Sequence, residues 1–241
     1  MENSLYISLS SQIALQEKMS IVSNNVANLG TPGFRAQNMV FDEYLSKPRG
    51  MKESMSMVLD YGQYQVTDPG PVKTTGNPLD VALIGPGFMG ISTPSGIQYT
   101  RAGNLSKTAE GVLVNARGMP VASAGGGTIT IPSTAQNVYI DKKGVVSTDE
   151  GQVGQLMIKE FTDLQKINPA GNGLYVTDEP GVPAEKTTVI QGKIEGSNVQ
   201  AVVEMTRMID VLRDYQSMQR IVQSEHDRMR TAIQRLSRAG A

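Results

Sequence analysis

Apolar positions recur at helical spacing near both ends of the chain and at strand spacing between them. Leu15, Met19, Val22, Val26 and Leu29 fall in a 4-3-4-3 pattern, with Leu5, Leu9 and Ile13 extending one face upstream. Such spacing predicts an amphipathic N-terminal helix. Toward the C-terminus Ala201, Met205, Met208, Leu212, Tyr215, Gln219, Val222, His226, Met229, Ile233 and Leu236 keep heptad spacing over five repeats, and nine of these eleven are apolar. This pattern predicts a seam between packed helices. Ser197 and Gln200 offer a capping box at its start. Acid–arginine pairs three residues apart (Glu204/Arg207, Asp210/Arg213, Glu225/Arg228, Asp227/Arg230) support its flanks. A helix over 198–238, uninterrupted by Gly or Pro, would be about 60 Å long.

The middle reads differently. Short runs such as "LDVALI", "FMGIST", "IQYTRA", "VLVNA", "TITIP", "NVYI", "VVST" and "GQLMIKEF" alternate with Gly- and Pro-containing turns, which predicts short antiparallel strands. The domains expected from this texture are an N-terminal helix and elbow over 1–45, connectors over 46–75 and 179–196, a central β domain over 76–178, and a long C-terminal helix over 197–241. The second connector carries one strand-like run, "TTVIQGKIE".

The elbow is the stretch "LGTPGF". Gly30 is expected to close the first helix at positive φ, and Pro32 cannot continue one. Thr31-Pro32-Gly33-Phe34 reads as a type II turn, with proline at the second position and glycine at the third. From Asn3 to Phe34 the charged side chains are Glu17 and Lys18, fewer than a water-facing helix normally carries.

Composition narrows the function classes. The chain has 241 residues, net charge −1 and no cysteine. That charge gives no basic footprint for nucleic acid, and disulfides and thiolate metal sites are excluded. No run approaches the ~18 apolar residues of a membrane span, and no signal peptide is visible at the N-terminus. Gly85-Pro86-Gly87-Phe88-Met89-Gly90 matches G-x-G-x-x-G but leads into another strand-like run, and Pro86 removes an amide. A β-turn is therefore expected there rather than a phosphate loop. The single histidine, His226, falls in the helical seam without His or Cys company, so neither a triad nor a metal site is expected. No catalytic, cofactor or metal residues are assigned.

"VSNNVANLGTPGFRAQ", "TTGNPLDVALIGPGFMGI", "YTRAGNLSKTAEGVLVNARGMPV" and "EGSNVQAVVEMTRMIDVLRDYQSMQRIV" resemble, in order, the shared blocks of the bacterial flagellar rod and hook axial proteins. The resemblance spans most of the chain. It implies an α+β fold, with N- and C-terminal helices paired as a coiled coil and a central antiparallel all-β domain. It implies a structural subunit of the basal-body rod, not an enzyme, that self-assembles through its terminal helices into a tube in the periplasm. Implied partners are other rod subunits and the flagellar type III export apparatus. No cofactor, nucleic acid, small-molecule substrate or membrane insertion is implied, and export would need no cleaved signal peptide. Length and the opening "MENSLY" favour a proximal-rod subunit. The alternatives are a distal-rod subunit and a non-flagellar coiled-coil binding module. The expected assembly seam is Leu15, Met19, Val22, Val26, Ala201, Met205, Met208, Leu212, Tyr215, Val222, Met229 and Ile233. The expected elbow is Gly30, Pro32 and Gly33.

Overall fold

The computed structural model describes residues 2–46 and 55–239. Part of the expected first connector, residues 47–54, lies outside them, as do Met1, Gly240 and Ala241. Helices at the two ends and largely antiparallel strands between them make an α+β fold. The chain divides into two compact units, one from Met1–Ala27, Gln37–Tyr64 and Gln200–Ala241, the other from Asn28–Ala36 and Gln65–Val199.

In the helical unit, helix α1 (Glu2–Ala27) packs on helix α2 (Ala201–Ala239). The two run antiparallel: Asn25 meets Glu204 and Gln12 meets Tyr215. Strands β1 (Gln37–Ser46) and β2 (Met55–Gln65) form a two-stranded sheet. The sequence texture placed β2 inside an irregular connector. The run "MSMVLDYGQYQ" carries Met55, Met57, Leu59 and Tyr61 at alternate positions, a strand period that its polar neighbours and the nearby prolines concealed.

The β unit is larger than the expected 76–178. Both connectors supply strands to it. Val72–Thr74 pairs with Lys193–Glu195, and Thr188–Gln191 pairs with Val81–Ile84. The run "TTVIQGKIE" is therefore part of the β unit, where Val189 is buried beside Leu83. A six-stranded sheet runs from Asn168–Gly171 through Leu174–Val176, Gly96–Thr100, Phe88–Thr93 and Ile158–Glu160 to Val182–Pro183. One core cluster joins Val81, Met89, Ile91, Leu113, Ile131, Val146 and Leu156. A smaller aromatic one holds Phe88, Phe161, Ile167 and Tyr175, with Phe88 edge-on to Phe161 at 6.0 Å and to Tyr175 at 5.6 Å.

Gly85 to Gly87 is a turn between two strands, and Phe88–Thr93 is a strand, not the helix a dinucleotide would need. The turn carbonyls are already engaged, as described below.

A candidate assembly surface and a buried Arg–Glu–Arg cluster

On α2 the shared half of the expected seam turns inward. Ala201, Met208, Tyr215, Val222 and Met229 are all partly buried. The other half does not. Met205 is 51% exposed, Leu212 45% and Ile233 65%, while Val211 is 1% exposed. The flank covered by α1 holds Glu204, Val211 and Met218, one residue earlier than expected. On α1, Leu15, Met19 and Val26 are half-buried and Val22 is buried, but Ile13 faces outward and Ala14, Ile21 and Asn25 are buried instead. Heptad spacing cannot separate these choices, because α2 is apolar on both sides of its central row. The uncovered side carries Val202, Met205, Ile209 and Leu212, all exposed. Their spacing of three, four and three residues puts them on one face of the helix.

The polar contact between the helices sits at their root. Asn25 is fully buried. Its amide donates to the Gln37 carbonyl at 2.9 Å and to Glu204 Oε2 at 3.2 Å, and accepts from the Gln37 N–H at 3.0 Å. Glu204 Oε1 accepts from Arg207 at 2.7 Å, and Arg207 also reaches Asn38 Oδ1 at 3.3 Å.

The expected elbow belongs to the β unit. Gly30 is not in the left-handed region, contrary to the expectation that it closes the helix there. Helix α1 ends at Ala27, and a turn follows in which Thr31 N–H donates to the Asn28 carbonyl at 3.2 Å. This turn stops the helix without a positive φ at Gly30. Gly33 takes that conformation instead, at φ 67°, and Phe34 N–H closes the turn on the Thr31 carbonyl at 3.3 Å. A Cβ on Gly33 would overlap the Arg101 carbonyl.

Beyond this turn lies a cluster that sequence reasoning missed. Arg101 and Glu195 are each 1% exposed and Arg35 is 5% exposed. Arg101 Nε and Nη2 meet Glu195 Oε2 at 2.7 and 2.6 Å. Its other donors reach the carbonyls of Leu83, Gly85 and Gly87 at 2.8, 2.8 and 2.6 Å, and its guanidinium stacks 5.6 Å from the Phe88 ring centre. Glu195 Oε1 accepts from Gly70 N–H at 3.1 Å and faces Arg35 at 3.6 Å. Arg35 donates to the carbonyls of Thr67 and Asp68. Burial, and then the nearby charge of Arg101, lower the pKa of Arg35. Two guanidiniums around one carboxylate cost desolvation, which hydrogen bonding counters fully at Arg101 and only in part at Arg35, whose Nε is buried without a hydrogen-bond partner. The cluster ties the turn after α1, the stretch around Gly70, the Gly85–Gly87 turn and the last strand to one point.

Among the described residues no group of three or more His, Asp or Glu is placed to hold a metal, and no helix is long and apolar enough to cross a membrane.

The described residues make an antiparallel helix pair with an exposed apolar flank, joined in sequence to a β unit that holds a buried ion cluster. Three family models match the chain: "Flagella basal body rod protein" over residues 5–35, "Flagellar hook protein FlgE/F/G D1 domain" over 82–148, and "Flagellar basal body rod FlgEFG protein C-terminal" over 190–235. The chain is 34% identical over 243 residues to flagellar basal-body rod protein FlgF of Caulobacter vibrioides, covering 99% of each chain. It is 30% identical over 244 residues to FlgF of Rhizobium meliloti, covering 98% of each. With flagellar basal-body rod protein FlgG of Bacillus subtilis it shares 31% identity over 252 residues, covering 92% of this chain and 94% of that one. The chain belongs to the flagellar basal-body rod protein family, whose members are structural subunits rather than enzymes. Arg35, Arg101 and Glu195 come one from each of the three matched segments.

Proposed function

We propose that the chain is a proximal-rod subunit that sits next to the distal rod and assembles through its terminal helices into a tube. The observation that carries this reading is the second apolar flank of α2. One flank is covered by α1, and the other leaves Met205, Ile209 and Leu212 about half exposed. A helix apolar on two sides is built to be packed on two sides, and the partner is a neighbouring rod subunit of the same family. The helices then form a coiled-coil layer. The turn at Pro32 and Gly33 lies in the stretch 28–36, where the chain passes in sequence from α1 into the β unit. Ser, Gln and Asn on α1 can be buried in the helical layer without the desolvation cost of unpaired charge. On this reading the flagellar type III apparatus exports the subunit to the periplasmic part of the basal body. End-to-end matching to flagellar basal-body rod relatives supports the rod reading, and the proximal position rests on the chain's length and its opening "MENSLY".

The test is a strain whose sole copy carries Leu212→Asp. The purified variant should unfold like the parent, because Leu212 is 45% exposed in the single chain, yet the subunit should be missing from isolated basal bodies and swimming should stop. Normal incorporation and swimming would sink helix-driven assembly. Deletion of the chain should give basal bodies lacking both this proximal segment and the distal rod that builds on it; a complete proximal rod with only the distal rod missing would favour the distal alternative.

A further inference from the structure

The flank of α2 that α1 covers is the less apolar of the two. It presents Glu204, Val211, Met218 and Glu225, whereas the bare flank presents Met205, Leu212, Gln219 and His226. Hydrophobic burial by itself favours the flank with Met205 and Leu212, since apolar area drives packing and a buried carboxylate opposes it. Something specific must turn α2 the other way. Glu204 is the feature that distinguishes the two flanks. It is 4% exposed, yet it is a carboxylate at the helix root, and it accepts from the fully buried Asn25 amide at 3.2 Å and from Arg207 at 2.7 Å. Rotating α2 by one residue, about 100°, would break the Asn25 bond while bringing Met205 and Leu212 inward.

We infer that the Asn25–Glu204 pair selects which face of α2 is buried within the chain, and so keeps the more apolar face free. Asn25 is well placed for this role, because its two bonds to the Gln37 backbone hold its amide fixed whether or not Glu204 is present. A polar pair in an apolar seam that fixes orientation at some expense of stability is a known use of buried polar groups. Glu204 is a positioning residue, and its loss should change orientation more than it changes helix content. On the rod reading, the freed face is the one a neighbour needs. The inference itself concerns the single chain in solution, so basal-body incorporation tests that reading and the following labelling tests this one.

The chain has no cysteine, so single thiols report cleanly. Val211→Cys and Leu212→Cys are made in the full-length chain with Glu204 intact, with Glu204→Ala, and with Glu204→Gln, and maleimide labelling rates are measured in dilute solution. With Glu204 intact, the thiol at 212 should label much faster than the thiol at 211. Glu204→Ala removes the acceptor without adding a large apolar side chain to the covered flank. It should lower that ratio about tenfold or more, the factor one hydrogen bond to a charged group commands, by slowing position 212 and speeding position 211. Glu204→Gln keeps a neutral, weaker acceptor for Asn25 and should keep position 212 the faster of the two. Four results would overturn the inference. The ratio could survive Glu204→Ala, or both sites could speed up together, which marks Glu204 as a stabiliser only. Glu204→Gln could lose that order, or the two sites could label alike with Glu204 in place.

Discussion

Replacing Arg101 with methionine isolates what the buried ion cluster contributes. Methionine fills similar volume but removes every donor the guanidinium supplies. Glu195 Oε2 loses its partner, and the carbonyls of Leu83, Gly85 and Gly87 lose theirs. Glu195 keeps Gly70 N–H at 3.1 Å and Arg35 at 3.6 Å, so its charge is weakened in support rather than abandoned. Removing one member of a buried pair costs about 3–5 kcal/mol, and the remaining contacts place this case near 4 kcal/mol. The three carbonyls add less than their individual penalties, because turn backbone can shift toward water. For a unit of this size a loss of 4 kcal/mol lowers the melting temperature by roughly 12 °C. The readout is the near-ultraviolet circular dichroism of the purified full chain, which reports Tyr99 and Tyr175 in the aromatic cluster beside Phe88. A control sharpens the argument. Changing all three residues together, Arg35→Met, Glu195→Leu and Arg101→Met, strands no charge and should cost less than Arg101→Met alone. If Arg101→Met melts within about 3 °C of the parent, or if the triple change is worse than the single one, the cluster is not the organising point described here.

Gly33→Ala should destabilise the β unit by at least about 1 kcal/mol, since φ is 67° and the new Cβ meets Arg101 backbone. Gly30→Ala has open space and an ordinary φ, so its melting curve should match or slightly exceed the parent's. Limited proteolysis should leave a core that runs on through the strand Lys193–Glu195, because the two expected connectors pair within the β unit; trimming back to about residue 180 would contradict that. At Glu160, burial pushes the carboxyl upward, but hydrogen bonds from the Thr187 hydroxyl and the Lys186 N–H outweigh it and lower its pKa. A lowered folded pKa gives stability that is present above the usual carboxylate range near ~4 and is lost as pH falls through the folded value. Glu160→Gln should therefore lower stability at pH 7 and converge with the parent in acid; an offset that stays constant with pH would refute the assignment.

The sequence made both helices, the strand texture and the turn at Pro32 legible, because each rests on local period or turn chemistry. The face that α1 covers on α2 was not legible. Period alone marks the shared row Met208, Tyr215 and Val222, but Leu212 and Val211 lie on either side of it and both are apolar. What separates them is Glu204, which looks like a solvated flank residue until Asn25 is seen opposite it. The Arg35–Glu195–Arg101 cluster was equally hidden, since its members are separated by 66 and 94 positions or more along the chain. One local hint existed. Arg101 follows the strand-like run "GIQYT" and precedes "AGNL", a lone charge in otherwise uncharged surroundings, which is where a buried partner is worth seeking. Gly30 misled for a different reason. A glycine just past a helix is usually its stop signal, but here the Asn28–Thr31 turn performs that task and the positive φ moves to Gly33, where the chain must pass close to Arg101.

The two units are specified by different physics, and the difference bears on what each tolerates. In the β unit the buried carboxylate of Glu195 is held by the last strand and answered by two arginines from distant segments, so a shift of that strand would leave a buried charge without its partners. The helical unit has an alternative close at hand, because α2 could bury its other flank and gain apolar area. A subunit that must present an apolar face to a neighbour cannot remove that alternative by making the face polar. It can only bias the choice elsewhere, with a group whose partner exists in one orientation alone. Glu204 opposite Asn25 has that property, and it acts at the helix root, where α2 begins and the backbone of Gln37 already holds the Asn25 amide. Substitutions along the bare flank should therefore leave the single chain folded, whereas changes at Asn25 or Glu204 should alter which face the chain presents before they alter how stable it is.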